Sequence, residues 1–257
     1  MIKKIEWIND DTFYGAVTLK DAHQPEMNNM ALHVCQNEKD VLKNRIQLSN
    51  ELNLPLSNWI LPWQKHTANM AHVTKKNHGQ GAFDKNTSIM NVDAIYTTEP
   101  NTLIGVFTAD CVGMLIIDPT TPFIGAIHSG WKGTIQAITT KCLQQWKEDH
   151  LIRPSTTHVY FSPSILKESL EVGLEVVEGI KQLPFNTSPF IQYTKNNKAY
   201  IDNQGLNMQM LKLENIPESN LHPTPFNTKK EINTCFSYRN DKKTGEHFTF
   251  GYIKKPR

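Results

Sequence analysis

The sequence predicts an α/β (α+β) fold, a single-domain layered α/β/β/α-type sandwich with mixed sheets spanning residues 1–257. Three observations predict it. Short Ile- and Val-rich runs bounded by turn residues are interspersed with longer segments of helical periodicity. Those runs are nearly continuous in apolar residues, the pattern of strands buried on both faces. Strands and helices mix without a strict strand-helix-strand rhythm, which favours a layered sandwich over a doubly wound sheet. With 39% hydrophobic residues in a 257-residue chain, there is enough apolar surface for a large core. No repeat, linker or composition shift marks a domain boundary.

The elements follow in order. Residues 37–52 predict a first helix with Val41, Leu42, Ile46 and Leu52 facing inward. Residues 93–97, 103–107, 114–117 and 123–127 predict four strands. Residues 133–146 predict a helix in which Ile135, Ile138, Cys142 and Trp146 form one apolar stripe, so Cys142 reads as a core thiol. Residues 169–183 and 203–213 predict two further helices. Gly79-Gln80-Gly81 looks like the opening of a dinucleotide fingerprint. Asp84 stands where the third glycine belongs and no clear strand precedes it, so it reads as a loop.

Composition removes several classes. Lys and Arg number 27 against 25 Asp and Glu, a balance of +2 that does not suit a dedicated nucleic-acid binder. The longest apolar stretch, 102–127, is interrupted by Asp110, Asp118, Pro119 and Pro122 and does not read as a membrane span. Residues 1–11 are charged and do not read as a signal peptide. Cys35, Cys111, Cys142 and Cys235 are widely spaced without a CxxC pair, which predicts reduced thiols and a cytoplasmic protein.

Polar residues with chemical potential gather at strand ends. Thr108-Ala109-Asp110-Cys111 follows one predicted strand, and His128-Ser129-Gly130 follows another just before a helix. If the two strands are neighbours, Cys111 and His128 meet at one edge of a sheet, where α/β proteins build sites. His66, after the short run 59–61 and Trp63-Gln64-Lys65, is a third candidate. Cysteine and histidine are good zinc ligands, and three of them leave a fourth position open for water or substrate. Spacing alone leaves two other readings standing: a Cys-His nucleophilic pair, or a core cysteine with ordinary polar histidines. Arg239, in Cys235-Phe-Ser-Tyr-Arg239-Asn, could offer its fork to an anion or make a surface ion pair.

The same residues carry a family resemblance. Asn29-Met-Ala-Leu-His33-Val, Asn44-Arg45, Gln64-Lys-His66, Asp93-Ala-Ile, Thr108-Ala-Asp-Cys111, His128-Ser-Gly-Trp131-Lys-Gly133, Ser162-Pro-Ser-Ile, Glu171-Val-Gly173 and Phe236-Ser-Tyr-Arg239 stand in order along most of the chain. Together they resemble the laccase-domain family of purine nucleoside phosphorylases, also known as multicopper polyphenol oxidases and peptidoglycan editing factors. The resemblance implies a layered α/β sandwich and a zinc held by His66, Cys111 and His128, copper being the weaker fit. It implies phosphorolysis of adenosine, inosine, guanosine or methylthioadenosine, with adenosine deamination as a second activity. The expected partners are thus a small purine nucleoside and phosphate, with no nucleic acid and no membrane.

On this reading Cys111 and His128 belong to the catalytic set with Asp110, the candidate acid/base or group orienting a histidine ligand. Asp93 reads mainly as structural. Arg45, Lys132 and Arg239 are the candidates for phosphate or ribose contact. An alternative is a Cys-His hydrolase or amidase that edits peptidoglycan precursors; another is a non-catalytic nucleoside-binding protein. Departures from the family pattern fall at Lys20, Lys132 and Glu246, each in place of an arginine. Loss of arginines that hold an anion would weaken phosphate use.

Overall fold

A computed structural model describes residues 1–254. Two sheets lie face to face with helices outside. The five-stranded sheet runs Lys4–Asn9, Phe13–Thr18, His247–Ile253, Leu103–Thr108 and Trp59–Ile60. The six-stranded sheet runs Leu221–His222, His158–Phe161, Val112–Asp118, Phe123–Ser129, Ala94–Thr97 and Met70–His72. Both sheets are mixed. Most pairs are antiparallel, whereas Trp59–Ile60 pairs parallel to Leu103–Thr108 and Met70–His72 parallel to Ala94–Thr97.

Period-two alternation builds the layers. In Leu103–Thr108, Ile104 and Val106 point between the sheets, where they join Leu115, Ile117, Ile124 and Ala126. Leu103 and Phe107 point to the outer face, packing with Phe248, Phe250 and Leu48 of the helix Glu38–Leu52. On the other side Val112, Met114, Ile116, Phe123 and Ile127 pack on Ile138, Cys142 and Trp146 of the helix Ile138–Glu148. The expected α/β/β/α layering is what forms. A three-stranded sheet, Glu171–Gly173, Lys198–Ile201 and Ile191–Tyr193, packs with the helix Leu174–Lys181 at its own small core.

Four expected details change. The predicted helix over 133–146 is two helices, Trp131–Ile135 and Ile138–Glu148, because Ala137 takes a left-handed φ of 55° that ends the first and starts the second. The helix expected over 169–183 shortens to Leu174–Lys181, because residues Glu171–Gly173 pair as a strand with Lys198–Ile201. On Glu38–Leu52, Ile46 is 49% exposed and the inward face is Val41, Asn44, Arg45, Leu48 and Ser49. The strands 103–108 and 123–129 lie in different sheets. The partner of Phe123–Ser129 is the strand after Cys111, with Val112 opposite Ser129 and Gly113 opposite His128. The chain crosses from one sheet to the other at 109–111, and this crossing delivers Cys111 to His128. Among the described residues no helix is long and apolar enough to cross a membrane.

Candidate metal centre

His66, Cys111 and His128 converge, with one ligand atom from each lying within 4.8 Å of the others. His66 Nε2 is 3.8 Å from Cys111 Sγ, and the two imidazole rings stand edge to face, 4.8 Å between centroids. Two imidazoles and a thiol in one small volume suit a borderline-soft ion such as zinc. Gly130 makes the convergence feasible: a Cβ there would sit 2.8 Å from Cys111 Sγ and 2.9 Å from the His66 ring. The donor set and this bare backbone fit a bound metal.

Asp93 organises the centre. It is fully buried, and its Oδ1 lies 2.8 Å from His128 Nδ1, which leaves His128 Nε2 as the nitrogen free to bind a metal. Its backbone carbonyl accepts from His128 N at 2.7 Å. The same carboxylate accepts from the backbone N–H of Lys65, His66 and Thr67 and from the Thr67 hydroxyl. These bonds hold the loop on which His66 takes a left-handed φ of 58°. Burial pushes the Asp93 carboxyl up, but its bonds to His128 and Thr67 outweigh that and hold it down at about 2. Burial likewise raises the Cys111 thiol, and the His128 and His66 imidazoles more than offset it, leaving the thiol below its ordinary range.

Gln64 fixes the approach to His66. Its side-chain amide donates to Phe107 O and accepts from Phe107 N, both at 2.8 Å, and so extends the sheet ladder by one side chain. On the far side, Asn203 donates to Ser129 O and accepts from the Thr134 hydroxyl, locking the strand end at Ser129 to the helices Trp131–Ile135 and Asn203–Leu213.

Two cavities meet at Cys111. One, of about 250 Å³, is walled by Trp131, Ile165, Asn203, Tyr238 and Arg239. The other, of about 470 Å³, holds His33, Gln64, His128, Thr244 and Glu246. His66, Ala109, Cys111, Tyr238 and Lys242 line both.

The expected contact residues separate. Arg239 faces the smaller cavity, one guanidinium N–H donating to Glu171 O at 3.0 Å. Asp110 lines the same cavity, but its carboxylate accepts from the Thr228 hydroxyl and from Arg239 N, both at 2.6 Å. It shapes the Arg239 loop; the carboxylate on His128 is that of Asp93. Arg45 is 1% exposed and donates to the carbonyls of Met30, Gly81 and Ala82, so no solvent-borne anion reaches it. The carbonyls of Gly81 and Ala82 belong to the loop with Gly79, in which both glycines take positive φ. Lys132 is exposed, its Nζ 5.5 Å from the Trp131 ring centroid, and lines neither cavity. Lys20 lines a separate surface cavity, its Nζ donating to Ile232 O.

Glu246, by contrast, is at the centre's edge. His33 Nε2 lies 3.1 Å from its Oε2. Burial raises the Glu246 carboxyl, and His33 outweighs it, with a net shift downward. Trp131, Asn203 and the pair Tyr238 and Glu246 come from three distant segments, and no local spacing announces that they share walls with Cys111.

Residues 20–254 match the family model described as multi-copper polyphenol oxidoreductase laccase. The chain belongs to this family. Within it, the chain is 30% identical over 231 residues to the purine nucleoside phosphorylase YlmD of Bacillus subtilis, covering 90% of this chain and 83% of that one. It is 31% identical over 217 residues to the purine nucleoside phosphorylase YlmD of Geobacillus stearothermophilus, covering 84% and 79%. The crystal structure of Bacillus licheniformis YfiH superposes with a TM-score of 0.90 at 26% identity, over 94% of this chain and 93% of that one. The crystal structure of the Geobacillus YlmD gives a TM-score of 0.88 at 28% identity, over 95% and 92%. Despite the family's multi-copper description, the described residues hold one such His-Cys cluster, that of His66, Cys111 and His128.

Proposed function

We propose that the protein is a cytoplasmic zinc-dependent purine nucleoside phosphorylase, converting a nucleoside and inorganic phosphate to free base and ribose 1-phosphate. The observation that carries the reading is the meeting of two unlike cavities at His66, Cys111 and His128. The names of the Bacillus and Geobacillus relatives agree with it.

His66, Cys111 and His128 would hold the ion, and Asp93 would orient His128 through Nδ1. A zinc bound there supplies Lewis acidity to an oxygen or nitrogen of the substrate. The protein's own residues do the rest. Arg239 and Lys242 give the smaller cavity its positive charge, and Arg239 has guanidinium N–H groups beyond the one on Glu171 O for a phosphate. Trp131 and Tyr238 provide aromatic faces beside them. The larger cavity, of about 470 Å³, has the room for the purine. A phosphate oxygen then forms a bond to the ribose C1′ as the bond from C1′ to N9 breaks. The electron pair leaves on the base, which takes up a proton. The sugar passes through an oxocarbenium-like state, as in glycoside hydrolysis, and phosphate held close beneath it stabilises that charge.

Adenosine deamination is the second reading. It needs a carboxylate free to exchange protons with the purine. Asp110 is engaged by Thr228 and Arg239, so Glu246 is the carboxylate available to that chemistry. Chromatography of adenosine, inosine and guanosine incubated with the protein, with and without phosphate, tests both. Free base formed only with phosphate is the expected result. Inosine formed from adenosine without phosphate would show deamination. No product from any nucleoside, with zinc bound, would overturn the enzymatic reading.

A further inference from the structure

We infer that Glu246 reads the base: its carboxylate accepts from the N1–H of a 6-oxopurine, giving the site a preference for guanine and hypoxanthine over adenine. This rests on the nucleoside reading above.

Glu246 is placed to do so. Its backbone N–H donates to Asn29 Oδ1 at 3.0 Å, and Asn29 is fully buried. Gly245 precedes it with no room for a side chain, since a Cβ there would lie 2.7 Å from the Asn29 side chain. The backbone is therefore fixed, and the side chain, 19% exposed, reaches into the larger cavity. The cavity's volume of about 470 Å³ is that of a small-molecule site. His33 stands 3.1 Å from Oε2 and is itself held between the Trp63 and Phe107 rings, each 5.9 Å away. Oε2 is sealed from solvent against His33, which leaves Oε1, without a protein hydrogen-bond partner among the described residues, as the oxygen open to the cavity. Lys65 and Lys242 line the same cavity, yet neither pairs with it; their ammonium groups lie over Trp63 and Tyr238.

A carboxylate oxygen that a ligand shields from water must be met by a donor, or the ligand bears the cost of desolvating it. An ionised carboxylate oxygen accepts and cannot donate. Guanine and hypoxanthine both present a donor at N1–H. Adenine presents a lone pair at N1, which the carboxylate oxygen repels. Guanine and hypoxanthine therefore fit the site better than adenine. A hydrogen bond to a charged group of this kind is worth roughly 10- to 100-fold in discrimination. His33 is a positioning residue, acting through Glu246.

The test is calorimetric titration of the full zinc-bound chain with guanine, hypoxanthine and adenine, for wild type and Glu246→Gln. Guanine and hypoxanthine should bind wild type more tightly than adenine, and the substitution should lower the guanine-to-adenine affinity ratio about 10-fold or more. An unchanged ratio overturns the inference, as does wild type that binds adenine at least as tightly as guanine. If Glu246→Gln does not fold, Glu246→Asp, one methylene shorter, must lower the same ratio or the inference falls. Phosphorolysis is assayed separately. A shifted ratio without turnover upholds base reading and removes the phosphorylase reading. Turnover with an unshifted ratio does the opposite.

Discussion

Asp93 and His128 form the hinge-pin of the candidate centre: a fully buried carboxylate 2.8 Å from the imidazole Nδ1, reinforced by a 2.7 Å bond from His128 N to Asp93 O. The same carboxylate holds the backbone of the His66 loop. One residue outside the ligand set thus aims two of its three members. Asp93→Asn keeps the size and weakens both functions. Zinc affinity, read by competition with a chromophoric chelator, should fall by about 10- to 100-fold, the usual effect of losing such an outer partner. Unchanged affinity would mean that His128 is oriented by packing alone.

Cys111→Ala removes one ligand at a place where the strands on either side are anchored by their own ladders. Metal content measured by mass spectrometry should drop to background while the circular dichroism spectrum stays that of wild type. A metal-free variant that still cleaves nucleosides would rule out the zinc mechanism. Activity that survives chelation but not thiol alkylation would point to the Cys-His hydrolase.

Gly130→Ala tests the cradle. The added methyl would lie 2.8 Å from Cys111 Sγ, so the thiol or the His66 ring must move away. Zinc should be lost with little change in melting temperature. Retention of stoichiometric zinc would show that the His66 loop gives way easily.

Arg239 and Arg45 should part company under mutation. Arg239→Ala should raise KM for phosphate about 10-fold, the loss of one charge-assisted contact, and leave stability almost unaltered. Arg45→Met leaves the carbonyls of Met30, Gly81 and Ala82 without their donor. It should destabilise the fold by about 3 kcal/mol or more, measured by urea unfolding. The reverse pattern would restore Arg45 as an anion contact.

Stability should depend on His247 between pH 6.5 and 4. This buried imidazole has both nitrogens engaged: Nε2 accepts from Phe236 N, and Nδ1 faces Thr18 O. Burial pushes its pKa down to about 4. A depressed folded value means the stabilisation is present above the unfolded pKa of about 6.5 and is lost as pH falls toward 4. The shift corresponds to about 3 kcal/mol across that window. Urea midpoints at pH 7 and pH 4.5 should differ accordingly, and His247→Gln should flatten the difference. An equal slope in the variant would place the acid sensitivity elsewhere.

The sequence by itself determined the layers and the three candidate ligands. Alternating and continuous apolar runs are local patterns, so the four central strands and the stripe of Ile138, Cys142 and Trp146 could be read directly. The ordered motifs singled out His66, Cys111 and His128 although the residues are far apart. Three things were settled only by tertiary structure. Asp93 became the orienting carboxylate, instead of Asp110, because the loop around His66 wraps it and no local spacing encodes that wrapping. Arg45 turned inward because three loop carbonyls wait there, a demand invisible on its own helix. Glu246 reached the cavity because His247–Ile253 is a central strand of the sheet that also carries Leu103–Thr108, which feeds the crossing to Cys111. Periodicity reports which face of an element is apolar. Which polar groups meet across elements depends on how the sheets stack, and that is a property of the whole fold.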